Sequence, residues 1–184
     1  MKKILFVASE CVPFIKTGGL ADVVGSLPKY LNKDEFEVRV ILPKYLAIKD
    51  EYKNQMVYRT HFYIDLAWRR QYVGIQELDY EGIKFYFIDN EFYFAGSKPY
   101  GEIYEDIEKF AFFSLAALSA IPSLDFRPDI IHCHDWQTGL IPVYLKDSDS
   151  FAKDSFYQGI KSIMTIHNLK FQGRWGIDEV KSIV

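Results

Sequence analysis

Cysteine is scarce in this 184-residue chain, which carries only Cys11 and Cys133. Two residues so far apart supply no disulfide framework, and they fit a reducing compartment. Basic residues are not in excess: 22 Lys and Arg stand against 25 Asp and Glu, for a formal charge of −3. A nucleic-acid partner needs a basic balance or stripe, so that class is excluded. Any anion site must come from a local arrangement of donors and not from a global field. No apolar run approaches the roughly 20 residues that span a bilayer, so no membrane partner is expected. Lys2-Lys3 and the apolar residues after them have the outline of a signal peptide, but Glu10 and Lys16 interrupt it. With no small-residue cleavage site, a buried first strand explains the segment better, and a cytoplasmic location is expected. Internal repeats, low-complexity tracts and linkers are absent too.

What is present describes a globular domain. The chain is 49% hydrophobic and 26% charged, and is long enough for one substantial core. Aromatic residues make up 17%. Rings can stack on sugars, but in a domain of this size most belong to the core or to half-buried sheet.

The strongest local signal lies near the start. Lys3-Ile4-Leu5-Phe6-Val7-Ala8-Ser9 reads as a buried strand, short and continuously apolar. Leu20, Val23, Val24, Leu27 and Leu31 recur at helical spacing and predict an amphipathic helix over 20–31. Lys16-Thr17-Gly18-Gly19-Leu20 joins the two. Glycines let backbone N–H groups approach an anion, the helix N-terminus adds positive partial charge, and the lysine adds a point charge. The bland alternative is a tight turn that needs glycine for its backbone angles. The loop is neither G-x-G-x-x-G nor G-x-x-x-x-G-K-[ST], so the dinucleotide and P-loop fingerprints both fail. It reads as an anion site of another kind, at the C-terminal edge of a parallel sheet.

Further strands are predicted at Glu37–Leu42, Phe62–Leu66, Tyr72–Leu78, Ile83–Ile88, Pro128–His134 and Gly159–Ile166. Glu81-Gly82 marks a hairpin, an antiparallel excursion from which Ile83–Ile88 returns to the main sheet. Residues 91–101 read as a loop. Helices are predicted over Tyr104–Ile121, stopped by Pro122, and over Thr138–Lys146, where Pro142 sits early or bends the helix. Strands alternating with helices indicate a doubly wound, mostly parallel, Rossmann-like α/β sheet.

In such a sheet His132-Cys133-His134-Asp135-Trp136 and His167-Asn168 end two strands on the same edge as the Lys16 loop. Period two puts His132 and His134 on one face and Cys133 on the other. Three readings stay open here: two histidines and an aspartate as metal ligands; a hydrogen-bonded core histidine with Asp135 capping the next helix; and a polar rim facing a sugar or phosphate.

These three motifs, in this order and over essentially the whole chain, resemble the N-terminal domain of bacterial glycogen synthase and plant starch synthase. The matching stretches run from Ser9 to Val23, from His132 to Leu140 and from Thr165 to Gly173. The resemblance implies half of a GT-B-type glycosyltransferase, two Rossmann-like domains facing across a cleft. The family transfers glucose from ADP-glucose to the non-reducing end of an α-1,4-glucan, with retention and with no required metal or other cofactor. It implies that 1–184 is the acceptor-side domain, that this domain continues past Val184, and that a C-terminal nucleotide-binding domain, its necessary partner, is absent. The fragment alone is then inactive. By the same resemblance Lys16 and the Gly18–Gly19 backbone serve the nucleotide sugar. Asp135 and His167 contact the transferred glucose as catalytic residues, with Asn168 beside them, and Asp22, Tyr100 and Trp136 reach into the cleft. The family often has arginine where Ala95-Gly96 and Lys109 stand, which puts contacts of the 91–101 loop in doubt. Two alternatives remain: a non-catalytic module presenting the aromatic hairpin, with Trp68 and Tyr72, to a glucan or partner, and a related transferase using another nucleotide sugar.

Overall fold

A computed structural model describes residues 1–96 and 98–181. Its sheet has seven strands: β1 (Lys2–Val7), β2 (Phe36–Pro43), β3 (Val57–Leu66), β4 (Arg69–Tyr80), β5 (Ile83–Asp89), β6 (Ile130–His134) and β7 (Lys161–Thr165). The spatial order is β3-β4-β5-β2-β1-β6-β7, with every pairing from β5 to β7 parallel. Leu5 stands between Arg39 of β2 and Ile131 of β6. The chain leaves β1 toward β2 on one side and later returns to β6 on the other. That reversal opens a crevice at the carboxyl ends of β1 and β6, where doubly wound sheets bind ligands.

The helices are α1 (Gly19–Tyr30), α2 (Asp50–Lys53), α3 (Glu91–Phe94), α4 (Ile103–Ala120), α5 (Leu140–Asp147), α6 (Asp149–Ala152) and α7 (Ile177–Lys181). Helix α1 buries Leu20, Ala21, Val24, Gly25 and Pro28. A Cβ at Gly25 would lie 2.7 Å from the Val12 carbonyl oxygen, so glycine lets α1 seat directly on the incoming segment. Helix α4 buries Ile107, Phe110, Ala111, Ser114 and Leu118, and Phe112, Phe113, Ala116 and Ala117 as well. It is buried almost all round, as a central helix is. Among the described residues no helix is long and apolar enough to cross a membrane.

The expected hairpin forms, and β5 rejoins the parallel sheet beside β2. Glu81 and Gly82 both have positive φ, which suits the two-residue turn between Tyr80 and Ile83. Strands β3 and β4 are longer than their alternation suggested, because each completes the other's ladder from Val57 to Glu77. Gly74 pairs with Asp89, the last residue of β5, so the start of β4 and the tip bearing Trp68 run past the sheet's carboxyl edge. The 91–101 loop opens with α3, where the Asn90 side chain accepts from the Tyr93 amide; Ser97 lies outside the described residues. Helix α5 begins at Leu140, after a 3-10 turn over Trp136–Thr138, and Pro142 falls in its first turn, where its missing N–H costs nothing.

Candidate active site

The first loop is organised by a residue that the sequence offers only as a break in an apolar run. Glu10 is buried, and its carboxylate accepts from the Thr17 amide, from the Thr17 hydroxyl at 3.1 Å and from the Gly18 amide at 3.4 Å. The Tyr100 hydroxyl donates to Glu10 Oε1 at 3.1 Å and shares a 2.7 Å hydrogen bond with Ser9. Burial, with the Glu10 charge beside it, pushes the Tyr100 phenol well above its usual range. Tyr100 is itself delivered by a clamp: the Asp106 carboxylate accepts from the Gly101 amide at 3.1 Å, and Lys109 Nζ donates to the Pro99 carbonyl at 3.0 Å. Lys109 therefore anchors the 98–101 segment.

Part of the loop's anion-binding capacity is thus met by the protein's own carboxylate. Gly18 is extended, at φ −146°, and neither it nor Gly19 has a positive φ. A Cβ at Gly19 would meet nothing within 4 Å, and one at Gly18 only Glu10 Oε1 at 3.9 Å. Neither backbone angle nor internal packing requires glycine here, so the tight-turn reading fails. Gly19 opens α1, and its amide has no intrahelical acceptor, as for any first-turn amide.

Lys16 Nζ reaches Asp22 Oδ1 at 2.7 Å, both side chains being about half exposed at 52%. An exposed pair contributes only about 0–1 kcal/mol, so an incoming polyanion can draw the ammonium away at small cost.

The second and third motifs lock together at the ends of β6 and β7. Asp135 sits at φ 57°, ψ −179°, a region that costs a non-glycine residue about 1–3 kcal/mol. Four contacts hold it there. Its amide donates to the Thr165 carbonyl at 2.9 Å, and its carbonyl accepts from the Thr138 amide and hydroxyl, each at 3.2 Å. Asp135 Oδ1 accepts from the His167 amide at 2.6 Å. Of the three readings of this motif, the helix cap fails, since no side-chain cap bond forms at Asp135. The core-histidine reading describes His134, which is fully buried. The rings of His132, His134 and His167 stack in series, with centroids 4.2 and 5.2 Å apart. His134 Nδ1 and His167 Nε2 are 2.9 Å apart, and His132 Nε2 pairs with Thr165 Oγ1 at 2.7 Å. Burial, reinforced by His132 and then His167, pushes the His134 imidazole down to about 2. Burial also lowers His132, and lifts both Cys11 and Cys133 to about 12, which leaves the thiols unreactive. No group of three or more His, Cys, Asp or Glu among the described residues is placed to hold a metal ion.

The two halves face each other across an open cleft of about 1040 Å³, lined by Gly18, Gly19, Tyr100, Asp135, Trp136, His167 and Asn168 among others. Lys16, in the loop, and Asp22, in the first turn of α1, stand outside that lining. Asn168 Oδ1 accepts from the Lys170 amide at 2.9 Å, bending the chain back toward Trp136. Residues 169–175, which sequence reasoning did not place in the site, complete the wall. Gly173, at φ +57°, would put a Cβ 2.5 Å from the Trp136 ring, and Trp175 packs on that ring at 4.7 Å. The cleft combines helix-terminal amides on one side with an imidazole and a carboxylate on the other. It can hold an anion at one end and a polar ring at the other.

Comparison with known proteins agrees with this geometry. A family model described as the starch synthase catalytic domain matches residues 3–184. Glycogen synthases of Lachnoclostridium phytofermentans and Lachnospira eligens are each 71% identical over 183 residues, covering all of this chain and 38% of the relative. The chain therefore spans about two fifths of the length of the glycogen synthases it matches. Among solved structures, the catalytic domain of starch synthase IV from Arabidopsis thaliana, bound to ADP and acarbose, superposes with a TM-score of 0.80 at 30% identity. That match covers 97% of this chain and 36% of the other. A GT-B neighbour, a family match along nearly every residue and relatives of this identity lead to one assignment: the chain belongs to the starch synthase catalytic domain family, with the glycogen synthases as its relatives.

Proposed function

We propose that this chain is the acceptor-side domain of a cytoplasmic glycogen synthase, which transfers glucose from ADP-glucose to the non-reducing end of an α-1,4-glucan with retention. The observation that carries the reading is the pair Gly18–Gly19, glycines that neither conformation nor packing demands, facing His167 and Asp135 across one cleft. The Arabidopsis neighbour is bound to ADP and acarbose, which supports a cleft that takes a nucleotide and a sugar.

Glucosyl transfer passes through an oxocarbenium-like state while a diphosphate leaves. Catalysis needs positive charge at the leaving group and oxygen dipoles near the anomeric carbon. The Gly19 amide, the α1 terminus and the Lys16 ammonium serve the first need. The free oxygen of Asp135 and the His167 ring serve the second, while Tyr100 acts through Glu10 to hold the loop. Trp136 and Asn168 shape the sugar end. The remaining cations and the adenine pocket are assigned to a second domain, so the 184-residue chain alone is proposed to be inactive.

The test uses the full-length protein with ADP-glucose and UDP-glucose as competing donors and glycogen as acceptor. Lys16→Ala is expected to raise KM for the donor, and His167→Ala to lower kcat. Unchanged kinetics in both would remove these residues from the site. The exposed Trp68 on the hairpin tip favours a second reading, a glucan-holding surface. Glucan capture lost in Trp68→Ala or Tyr72→Ala, but not in Lys16→Ala, would select it.

A further inference from the structure

His134 has no direct view of the cleft, yet it is bonded to a residue that does. The side chain is fully buried, with Phe6 of β1 packed on it at 5.1 Å, His132 stacked on one side and His167 on the other. Its Nδ1 faces His167 Nε2 at 2.9 Å, while its own Nε2 is buried with no hydrogen-bond partner.

A neutral imidazole carries one proton, and here the two placements are unequal. A proton on Nε2 of His134 would be a buried N–H with no acceptor, among the rarest and most costly arrangements in folded proteins. A proton on Nδ1 is used at once, donated to His167 Nε2, and leaves only an unfilled lone pair behind. His167 Nε2 must then be an acceptor, and the ring's proton lies on Nδ1.

We propose that His134 is a positioning residue that fixes the tautomer of His167, so that His167 offers Nδ1–H, a donor, to an oxygen of the sugar bound in the cleft. The inference rests on the proposed function for what occupies the cleft; the tautomer itself does not. In the opposite tautomer Nδ1 would carry a lone pair and could only accept from a sugar hydroxyl, so the direction of the bond would reverse and no donor would face the sugar. Asp135 fixes the main chain of His167 by accepting from its amide, and His134 fixes the ring. Backbone and side chain of one residue are thereby held by adjacent positions of β6 and its exit.

Two variants of the full-length protein separate the roles of His134. His134→Phe keeps a flat ring in the stack and removes both nitrogens. His134→Asn puts an amide N–H near the position of Nδ1. Long-range ¹H–¹⁵N spectra of histidine-labelled protein report which nitrogen of His167 is protonated. The expected result is Nδ1–H in the wild type and in His134→Asn, with Nε2–H gaining population in His134→Phe. Orienting bonds behind a functional imidazole are typically worth roughly 10- to 100-fold, so His134→Phe should lower kcat by that factor with donor KM nearly unchanged. His134→Asn should recover most of the loss. Finding Nε2–H on His167 in the wild type overturns the proposal, as does a His134→Phe enzyme with unaltered tautomer and kcat. Should His134→Phe fail to fold, the wild-type spectrum decides alone. If His167→Ala leaves kcat intact, the functional reading of the site falls, and the spectrum still judges the tautomer.

Discussion

Gly19→Ala asks most directly what the diglycine is for. In the folded chain an added methyl at this position meets no atom within 4 Å, and the backbone there needs no positive φ. Alanine also has fewer unfolded conformations to lose. A Gly→Ala change at a compatible position stabilises by about 0.4–1 kcal/mol, which hydrogen-exchange protection of the α1 amides and urea unfolding would both register. If glycine is kept so that a diphosphate can approach the amide, the same methyl stands in the ligand's way. Losing one charge-assisted hydrogen bond removes about 1.5–3 kcal/mol. At 1.4 kcal/mol per decade that is about a 10- to 150-fold fall in kcat/KM for the nucleotide sugar. The informative outcome is the opposition of the two signs, a firmer helix and a poorer enzyme. Kinetics within twofold of wild type, together with the gain in stability, would refute the argument that a ligand occupies this space.

Asp135→Asn keeps an oxygen to accept from the His167 amide and removes the charge; if the second carboxylate oxygen acts on the developing positive charge, kcat should fall about 100-fold with the fold intact, and full activity would reduce Asp135 to a backbone clamp. Gly25→Ala drives a methyl to 2.7 Å from the Val12 carbonyl oxygen and, as overpacking against backbone, should destabilise by about 1–3 kcal/mol, checked by urea unfolding. Acid should weaken the fold through His134, whose ordinary value is 6.5 and whose folded value is about 2. Between those limits the unfolded chain binds a proton that the folded one refuses, so stability falls as pH drops below 6.5, by up to about 1.4 kcal/mol per pH unit. In His134→Phe the slope should flatten by about one proton, and an unaltered slope would contradict the burial argument.

The parallel sheet was legible because its strands are buried on both faces. Leu5, Val40, Ile41, Phe87 and Ile131 are almost wholly inaccessible, and such strands write themselves as continuous apolar runs. The excursion was legible in kind and not in length. Strand β3 exposes Tyr58 and Tyr63 and alternates weakly, and its extent is set by pairing with β4 and not by its own pattern. Edge strand β7 also departs from expectation: Ile163 and Met164 are 47% and 40% exposed, so an apolar run there does not mean a covered one.

The site divides along a different line. Residues whose chemistry shows in their type, such as Gly18, Gly19, Asp135 and His167, could be placed on one edge from strand order alone. Those that act through others could not. Glu10 looked like an interruption, because its role depends on the Thr17 and Gly18 amides turning back onto it, a contact made by loop geometry. Helix capping stays open as one reading of Asp135 in the sequence, because nothing in an aspartate announces a positive φ; that conformation is imposed by Thr165 on the neighbouring strand and by Thr138 beyond the turn. His134 looked like either a ligand or a core residue, and it is a core residue with a consequence, since its one bonded nitrogen belongs to His167. Local pattern therefore finds the groups that meet a ligand, whereas the groups that aim them are found only in the fold, Glu10 from the loop that turns back onto it and His134 and Asp135 from β6 and β7 laid side by side. The switch point makes this division physical: three segments remote in sequence leave the sheet within one crevice, and those after β6 and β7 are each oriented by a residue that the other supplies.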